Sequence, residues 1–318
     1  MNIRMGYVST ALSLWETSPS RTMTFKRYGQ LTKEDRVRRL LEITKTNLDN
    51  TRRILYYNTA HEIQLYRLSS SIVPLATHPE VNWDFITPFK SEWKELGDWI
   101  NNHQMRVSFH PNQFTLFTSS KPSITENSVK DMNYHYQMLE AMGVLSNARI
   151  NIHVGGAYGD KDAATKRFYE NIISLPKLIK QQMTLENDDK TYTTNETLAI
   201  CQKEGIPLVF DYHHDQANLG KQLFHELLPA IFATWEQTGI PPKIHISSPK
   251  SEKAFRSHSD YVDLAFITPL LLALKEINQD VDFMIEAKAK DLAMLKLIED
   301  ISKIRGVKRI SGGMVAWK

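Results

Sequence analysis

The chain contains a single cysteine, Cys201, among its 318 residues. One thiol cannot form an intramolecular disulfide, and it cannot supply the several thiolates of a Cys-rich zinc module. Cys201 stands in the helix-like segment ETLAICQKEG, where a buried packing role is more common for cysteine than a nucleophilic one. The sequence therefore excludes a disulfide scaffold and gives no reason to expect thiol chemistry.

The chain also lacks a long hydrophobic run. Its longest apolar stretch, residues 264–274, is interrupted by Thr268 and Pro269 and falls short of the ~18 residues that span a bilayer. Residues 1–7 are too few for a secretory signal and lead straight into a strand-like segment. These absences predict a soluble cytoplasmic protein with no membrane partner. The net charge of +3 is too small to indicate a polyanionic partner, so the positions of the basic residues matter more.

Strand-like and helix-like segments alternate along the whole chain. Eight runs have the composition of strands: residues 3–8, 65–72, 106–111, 149–156, 183–188, 208–214, 243–248 and 282–288. Apolar residues at helical spacing follow each run, first behind Thr32 and then at roughly 91–103, 125–145, 162–182, 194–204, 221–236, 260–277 and 289–304. Eight β-then-α units without a linker predict a single-domain (β/α)8 TIM barrel of the α/β class over residues 1–318, with a short tail after about 305. A doubly wound sheet is the alternative.

Three connections that follow strands are long. They cover residues 9–30, 112–123 and 248–257, and each combines basic, hydroxyl and aromatic side chains. Basic side chains can hold phosphates while aromatic rings stack on bases, so these loops are candidates for a nucleic-acid surface. Ordinary solvated loops of the same composition are the alternative.

Six consecutive strand-like runs end in imidazole or carboxylate groups. These groups, with one more from the loop after the seventh run, are His110, His153, Glu186, Asp211, His213 or His214, His245, His258 and Glu286. Taken singly, each of these residues is more often a hydrogen-bonded structural residue than a metal ligand. In a barrel, however, the carboxyl ends of all strands meet at one mouth. Three carboxylates gathered there would repel each other unless cations lay between them.

A ligand set of this size and type indicates more than one metal ion. Imidazole and carboxylate ligands without thiolate suit zinc, manganese or iron, and a catalytic zinc ion needs only about three protein ligands. Glu186 is central in strand order, so it is the natural bridging ligand of two or three ions. Clustered ions serve phosphodiester cleavage, but a binuclear sugar isomerase or epimerase uses a similar set, and spacing alone does not separate the two. A nucleic-acid-binding protein with purely structural metals is a third hypothesis.

Several motifs together resemble the UV damage endonuclease family, which is similar in fold and metal site to endonuclease IV. They are LYRLSSSIVPLATHP (65–79), SFHPNQF (108–114), INIHVGGAYGDK (151–161), TLENDDKTYT (184–193), FDYHH (210–214), KIHIS (243–247) and MIEAK (284–288). The resemblance implies ATP-independent incision of duplex DNA immediately 5′ to cyclobutane pyrimidine dimers and 6-4 photoproducts, leaving a 3′-hydroxyl and a 5′-phosphate. It also implies a monomer that acts at the nucleoid on UV-damaged double-stranded DNA without a nucleotide cofactor.

The resemblance also assigns roles to individual residues. It implies up to three Mn²⁺ ions with the ligands His110, His153, Glu186, Asp211, His214, His245, His258 and Glu286. Glu186 and Lys243 are the implied catalytic residues, and Lys243 matches a lysine that can be carboxylated; a structural lysine at the start of a strand is the alternative.

Gln113, Phe114 and Tyr7 are the residues that the resemblance places against the damaged bases. Phe114 stands where some members of the family have tyrosine, so the hydroxyl contact is lost while a wedge is kept. Thr10 and Ala11 stand where an asparagine is common.

Overall fold

Eight parallel strands form a closed barrel in the computed structural model, which describes residues 1–318. The strands are β1 (Asn2–Val8), β2 (Leu65–Arg67), β3 (Arg106–Phe109), β4 (Arg149–His153), β5 (Met183–Glu186), β6 (Leu208–Asp211), β7 (Lys243–Ile246) and β8 (Val281–Ile285). Each pairs in parallel with its neighbour in the chain, and β1 pairs with both β2 and β8, which closes the cylinder. The predicted (β/α)8 TIM barrel is confirmed.

Helices fill the connections between the strands. They are α1 (Phe25–Gly29), α2 (Lys33–Ala60), α3 (Lys90–Asn102), α4 (Pro122–Met142), α5 (Lys161–Asn171), α6 (Lys177–Lys180), α7 (Thr194–Glu204), α8 (Tyr212–Ala217), α9 (Phe224–Ala233), α10 (Leu264–Ile277) and α11 (Lys290–Ser302). The helix predicted at 162–182 is divided by a 3-10 turn into α5 and α6, and the strands predicted at 65–72 and 208–214 end early, at Arg67 and Asp211. No helix is both long enough and apolar enough to cross a membrane.

The residues after 305 form a β-hairpin where the sequence had suggested only a tail. Strands β9 (Val307–Ser311) and β10 (Met314–Trp317) pair with each other, and β10 runs antiparallel to Asn2–Arg4 at the start of β1. The turn requires glycine, since a Cβ on Gly312 would lie 1.8 Å from the carbonyl oxygen of His61. The hairpin therefore joins the end of the chain to the amino-terminal end of the barrel.

Alternation along the strands separates an apolar outer layer from an interior that contains most of the buried charged side chains, together with a small apolar cluster of Val8, Leu65 and Met284. Outward side chains such as Ile3, Met5 and Phe109 pack under the helices in a core cluster of 68 buried residues. Complete burial of one such side chain stabilises the fold by about 1.5–3 kcal/mol. Inward side chains at the lower level include Arg106 and Arg4, which both pair with Asp282 across the interior at 2.6 and 2.7 Å. The outer layer supplies the packing, so the interior strand positions are available for charged groups.

Candidate metal centre

The ends of strands β3 to β8 bring their imidazole and carboxylate groups to one mouth of the barrel. Candidate ligand atoms fall into three groups, and within each group all atoms lie within 4.8 Å of one another. The groups are His110, His153 and Glu186; Glu186, Asp211 and His214; and Asp211, His245 and Glu286. Glu186 belongs to the first two groups and Asp211 to the last two, so the three groups form one continuous cluster.

Glu186 lies at the centre of this cluster. Its Oε2 atom is 3.2 Å from Nε2 of His110 and 3.1 Å from Nδ1 of His245. Its Oε1 atom is 3.4 Å from Nδ1 of His214 and 4.0 Å from Nε2 of His153. One carboxylate thus faces four imidazoles that come from four different segments of the chain.

Four buried polar atoms of the cluster have no partner in hydrogen-bonding geometry within the protein, although some of them lie close to one another. They are Nδ1 of His153, Oε1 of Glu186, Oδ2 of Asp211 and Nδ1 of His245. A buried polar atom without a partner costs about 1–3 kcal/mol, so four in one place require a compensating interaction. Imidazole nitrogens and carboxylate oxygens are the donors that divalent transition metals accept, and the residues present therefore fit such ions.

Backbone carbonyl groups fix the orientation of three of the imidazoles, including His214, whose Nδ1 lies 3.0 Å from the carbonyl oxygen of Asn187. Nδ1 of His110 lies 2.9 Å from the carbonyl oxygen of Pro111, and Nδ1 of His258 lies 2.9 Å from that of Glu286. A carbonyl oxygen only accepts hydrogen bonds, so Nδ1 carries the proton and Nε2 keeps its lone pair. This arrangement is typical of metal-ligating histidines, whose second nitrogen donates to a carbonyl or a carboxylate.

The three carboxylates have different proton affinities. Burial works to raise the pKa of Glu186, but its imidazole neighbours, His245 and His153 foremost, lower that pKa well below its usual range. Burial raises the pKa of Asp211, and the charges of Glu186 and Glu286 raise it further. Burial opposes the ionisation of Glu286 as well, but Arg67 and His245 lower its pKa. The cluster therefore concentrates negative charge at Glu186 and Glu286, where a cation would be stabilised most.

The helix that follows β6 decides between His213 and His214. If the chain had stayed extended, strand alternation would have turned the His213 side chain towards the site. Instead α8 begins at Tyr212, and Asp211 caps this helix by accepting a hydrogen bond from the His214 amide at 2.8 Å. His214 consequently faces Glu186 and Asp211. His213 is buried on the other side, where its ring bonds to Ser247 at 2.7 Å and to the Phe255 carbonyl at 2.6 Å. Burial lowers the pKa of His213 to about 4, so it acts as a neutral anchor for the loop after β7.

His258 and Lys243 lie beside the three groups. The His258 ring centroid is 6.3 Å from that of His214, at the end of the long loop after β7. Lys243 is buried on β7 two residues before His245, and so points into the interior one level below the ligands. Burial lowers the pKa of the Lys243 amine well below its ordinary value, and the nearby charge of Arg106 lowers it further.

The structure separates the three predicted lesion contacts. Gln113 and Phe114 lie exposed in the loop after His110, and 73% of the Phe114 surface is accessible. Tyr7 is fully buried: its hydroxyl donates to Oδ1 of Asn58 on α2 at 2.6 Å, and its ring packs against Tyr66. Arg4 points into the barrel, and Tyr7, three residues later, points to the helical layer. In this structure the Tyr7 side chain therefore packs in the core, and its contact with the damaged bases stays a prediction.

Sequence reasoning missed two residues that contact the ligands. Arg67 at the end of β2 forms an ion pair with Glu286. Asn151 on β4 donates to Oε2 of Glu186 and accepts from Thr184 Oγ1 at 2.8 Å, which fixes its amide. For Asn151 the available signal was a polar side chain two residues before His153, on the same face of β4. For Arg67 it was a basic residue at the end of β2, a strand whose last residues had not been weighed as part of the site.

Known proteins match this chain both in sequence and in fold. A family model described as UV-endonuclease UvdE matches residues 3–318. A UV DNA damage endonuclease of Bacillus pumilus (strain SAFR-032) is 62% identical over 319 residues, covering 100% of both chains. The crystal structure of SacUVDE matches with a TM-score of 0.84 and 28% identity over 95% of this chain and 100% of that chain.

A sugar epimerase shares the fold alone. D-psicose 3-epimerase from Clostridium cellulolyticum H10 matches with a TM-score of 0.51 and 12% identity, over 88% of this chain and 84% of that chain. The family resemblance inferred from the motifs is thus confirmed over nearly the whole sequence, and the chain belongs to the UV-endonuclease UvdE family.

Proposed function

We propose that this protein is a metal-dependent DNA repair endonuclease that hydrolyses one phosphodiester bond of UV-damaged duplex DNA. The incision lies immediately 5′ to a cyclobutane pyrimidine dimer or a 6-4 photoproduct and leaves a 3′-hydroxyl and a 5′-phosphate, without ATP. The observation that carries the proposal is the continuous cluster of three ligand groups linked by Glu186 and Asp211. The names of its relatives supply the substrate class.

Eight residues would hold up to three divalent cations, with Mn²⁺ preferred. They are His110, His153, Glu186, Asp211, His214, His245, His258 and Glu286. When bound, such cations lower the pKa of water and neutralise charge on a phosphodiester. The protein's own contribution is orientation: Asn151 holds Glu186, and the carbonyls of Pro111 and Glu286 hold His110 and His258.

Lys243 is proposed to carry a carboxyl group on its amine. Formation of a carbamate joins the amine nitrogen to carbon dioxide and releases a proton to water, so it needs a neutral amine, which the low pKa of Lys243 supplies. Arg106 and Arg67 lie close enough to influence that amine, and both would stabilise the resulting anion. The modified side chain would add a negative group directly beneath the ligands.

Carboxylation of Lys243 predicts a carbamate signal in solution. Protein equilibrated with ¹³C-bicarbonate should show a carbamate carbonyl resonance that is absent from the Lys243→Met variant. The Lys94→Met variant removes an exposed lysine and should keep the resonance. Identical spectra for the wild type and Lys243→Met would leave Lys243 as a plain buried amine.

Gln113 and Phe114 are proposed to probe the lesion. A photoproduct already weakens stacking and pairing, so kinking the DNA and displacing its bases costs less there than in intact duplex. An exposed ring beside the ligand cluster can fill the space that the displaced bases leave. Recognition by deformability would explain how one site accepts two chemically different lesions.

Substitution of both probing residues by alanine should lower discrimination between damaged and intact DNA by about 10-fold or more, since loss of the Phe114 stacking contact alone is worth about 1–3 kcal/mol. Competition binding with the two duplexes measures this ratio. Metal content should stay unchanged, and Leu178→Ala, which removes an exposed apolar side chain elsewhere, should leave the ratio intact. A fall in metal content would mean that Gln113 and Phe114 support the ligands instead.

One assay tests the proposed function as a whole. The protein and Mn²⁺ are incubated with a duplex that carries one photoproduct, and the product ends are mapped. A single nick on the 5′ side with a 3′-hydroxyl is the expected result. Sugar epimerisation without nicking would favour the alternative enzyme class, and DNA binding without cleavage would favour structural metals.

A further inference from the structure

The loop after β1 presents an unusually exposed tryptophan. Trp15 is 83% accessible, whereas the other five tryptophans of the chain are buried or half-buried. Leu12 in the same loop is 52% accessible. Large apolar side chains that are exposed close together in the chain can mark a contact surface.

Helix α2 clamps this loop from one side. Arg53 donates to the Trp15 carbonyl at 3.1 Å, and Asn50 donates to the Ser18 carbonyl at 2.9 Å. Asn47 donates to the Arg21 carbonyl at 2.8 Å and accepts from the Arg21 amide at 2.9 Å. The three helical residues are three positions apart, so they lie along one face of α2 and meet the loop at every third residue.

Helix α11 clamps the same loop from the other side. The buried carboxylate of Asp291 accepts from the amides of Leu12 at 2.6 Å and Ser13 at 3.2 Å. Glu16, next to Trp15, adopts a left-handed backbone with φ 48°, which non-glycine residues rarely do. The backbone of the loop is thus held in place before any partner arrives, and a preorganised contact loses less entropy on binding.

The surroundings of Trp15 indicate the chemistry of the partner. The loop follows β1, so it lies on the face of the barrel that carries the ligand cluster. The residues that bind its backbone, however, lie on the outer helices α2 and α11 rather than over the barrel mouth. Four exposed cations, Arg21, Lys26, Arg27 and Arg53, lie on or beside the loop, against two exposed acids, Glu16 and Glu42. An aromatic ring among cations beside a nuclease site is the combination that binds nucleic acid.

We propose that Trp15 packs against the DNA duplex outside the lesion, as a second aromatic contact distinct from Phe114. This inference rests on the proposed function. Because the contact is with undamaged DNA, Trp15 should contribute equally to the binding of damaged and intact duplexes, whereas Phe114 should contribute to discrimination between them.

Binding without added metal separates the two aromatic contacts. Trp15→Ala should weaken binding of a long duplex by about 5- to 150-fold, by the same factor with and without a photoproduct, and Trp15→Phe should restore part of it. Ile173→Ala, which removes a side chain of 81% accessibility, is the matched control and should bind like the wild type. If the duplex is shortened on the side of the lesion that Trp15 contacts, the DNA affinity of the wild type should fall to that of Trp15→Ala.

Tryptophan fluorescence gives an independent readout. DNA should quench the emission of the wild type far more than that of Trp15→Phe, since the other tryptophans are shielded. If the wild type nicks DNA and Trp15→Ala binds DNA as tightly as the wild type, this inference alone is overturned. The same holds if Trp15→Ala changes the oligomeric state while its DNA binding stays intact. A wild type that neither binds nor nicks DNA would overturn the proposed function and this inference together.

Discussion

Replacing Glu186 with alanine should reduce incision by more than about 100-fold, because mutation of a residue that only supports a ligand already costs about 10–100-fold in metal-dependent activity. Glu186 is itself shared by two of the three ligand groups. Its loss would leave His110, His153, His214 and His245 facing each other around an empty centre. The measurement is the single-turnover rate on a duplex with one photoproduct, together with metal content by elemental analysis.

Two further variants make the Glu186 result interpretable. Glu186→Gln keeps the size of the side chain and an oxygen for Asn151 but removes the charge, so it should bind fewer ions and remain nearly inactive. Glu80→Ala removes an exposed carboxylate and should behave like the wild type. Incision by Glu186→Ala above about one tenth of the wild-type rate would contradict a bridging role.

Replacing Asp282 with alanine should destabilise the fold by about 3–5 kcal/mol, because it leaves buried positive charge without its partner. Asp282 pairs with both Arg106 and Arg4, and Arg106 is fully buried. Burial opposes ionisation of Asp282, but the two arginines lower its pKa below the ordinary value. Because the pKa of Asp282 is lower in the folded state, its ionisation stabilises the protein fully above the unfolded-state pKa of about 4. This stabilisation is lost as the pH falls through the lower folded-state pKa. The full effect of the substitution is therefore expected at neutral pH.

Urea unfolding at neutral pH measures the effect of Asp282→Ala. Asp98→Ala breaks the Lys94–Asp98 pair, in which both side chains are more than half exposed, and should change stability by no more than about 0.5 kcal/mol. Equal stabilities for the two variants would show that water reaches the interior charges and that the buried ion group is screened.

The sequence predicted the site better than it predicted the ends of the elements. His110, His153, Glu186, Asp211, His245 and Glu286 were identifiable because parallel strands bring their carboxyl ends to one mouth, whatever the details of the helices. The choice between His213 and His214 was different. It depended on whether the chain was still extended at Tyr212. Because Asp211 instead caps α8, the helix begins there, and His214 rather than His213 faces the site.

Tyr7 shows why strand orientation could not be read from β1 alone. Both faces of this strand are buried, so apolar residues occur at consecutive positions, Tyr7 and Val8 among them, and no alternation marks the inward face. The ion pair of Arg4 with Asp282 defines that face only once the barrel is closed. The terminal hairpin was missed for a related reason: its partner strand, Asn2–Arg4, lies at the opposite end of the chain.

The claim on which the account rests is that one cluster at the barrel mouth holds several divalent cations, with Glu186 between them. Crystals grown with Mn²⁺ and measured at the manganese absorption edge test it directly, since anomalous difference peaks mark the ions alone. We expect two or three peaks among the eight proposed ligands, with Glu186 contacting two of them. A single peak, or peaks away from Glu186, would contradict it.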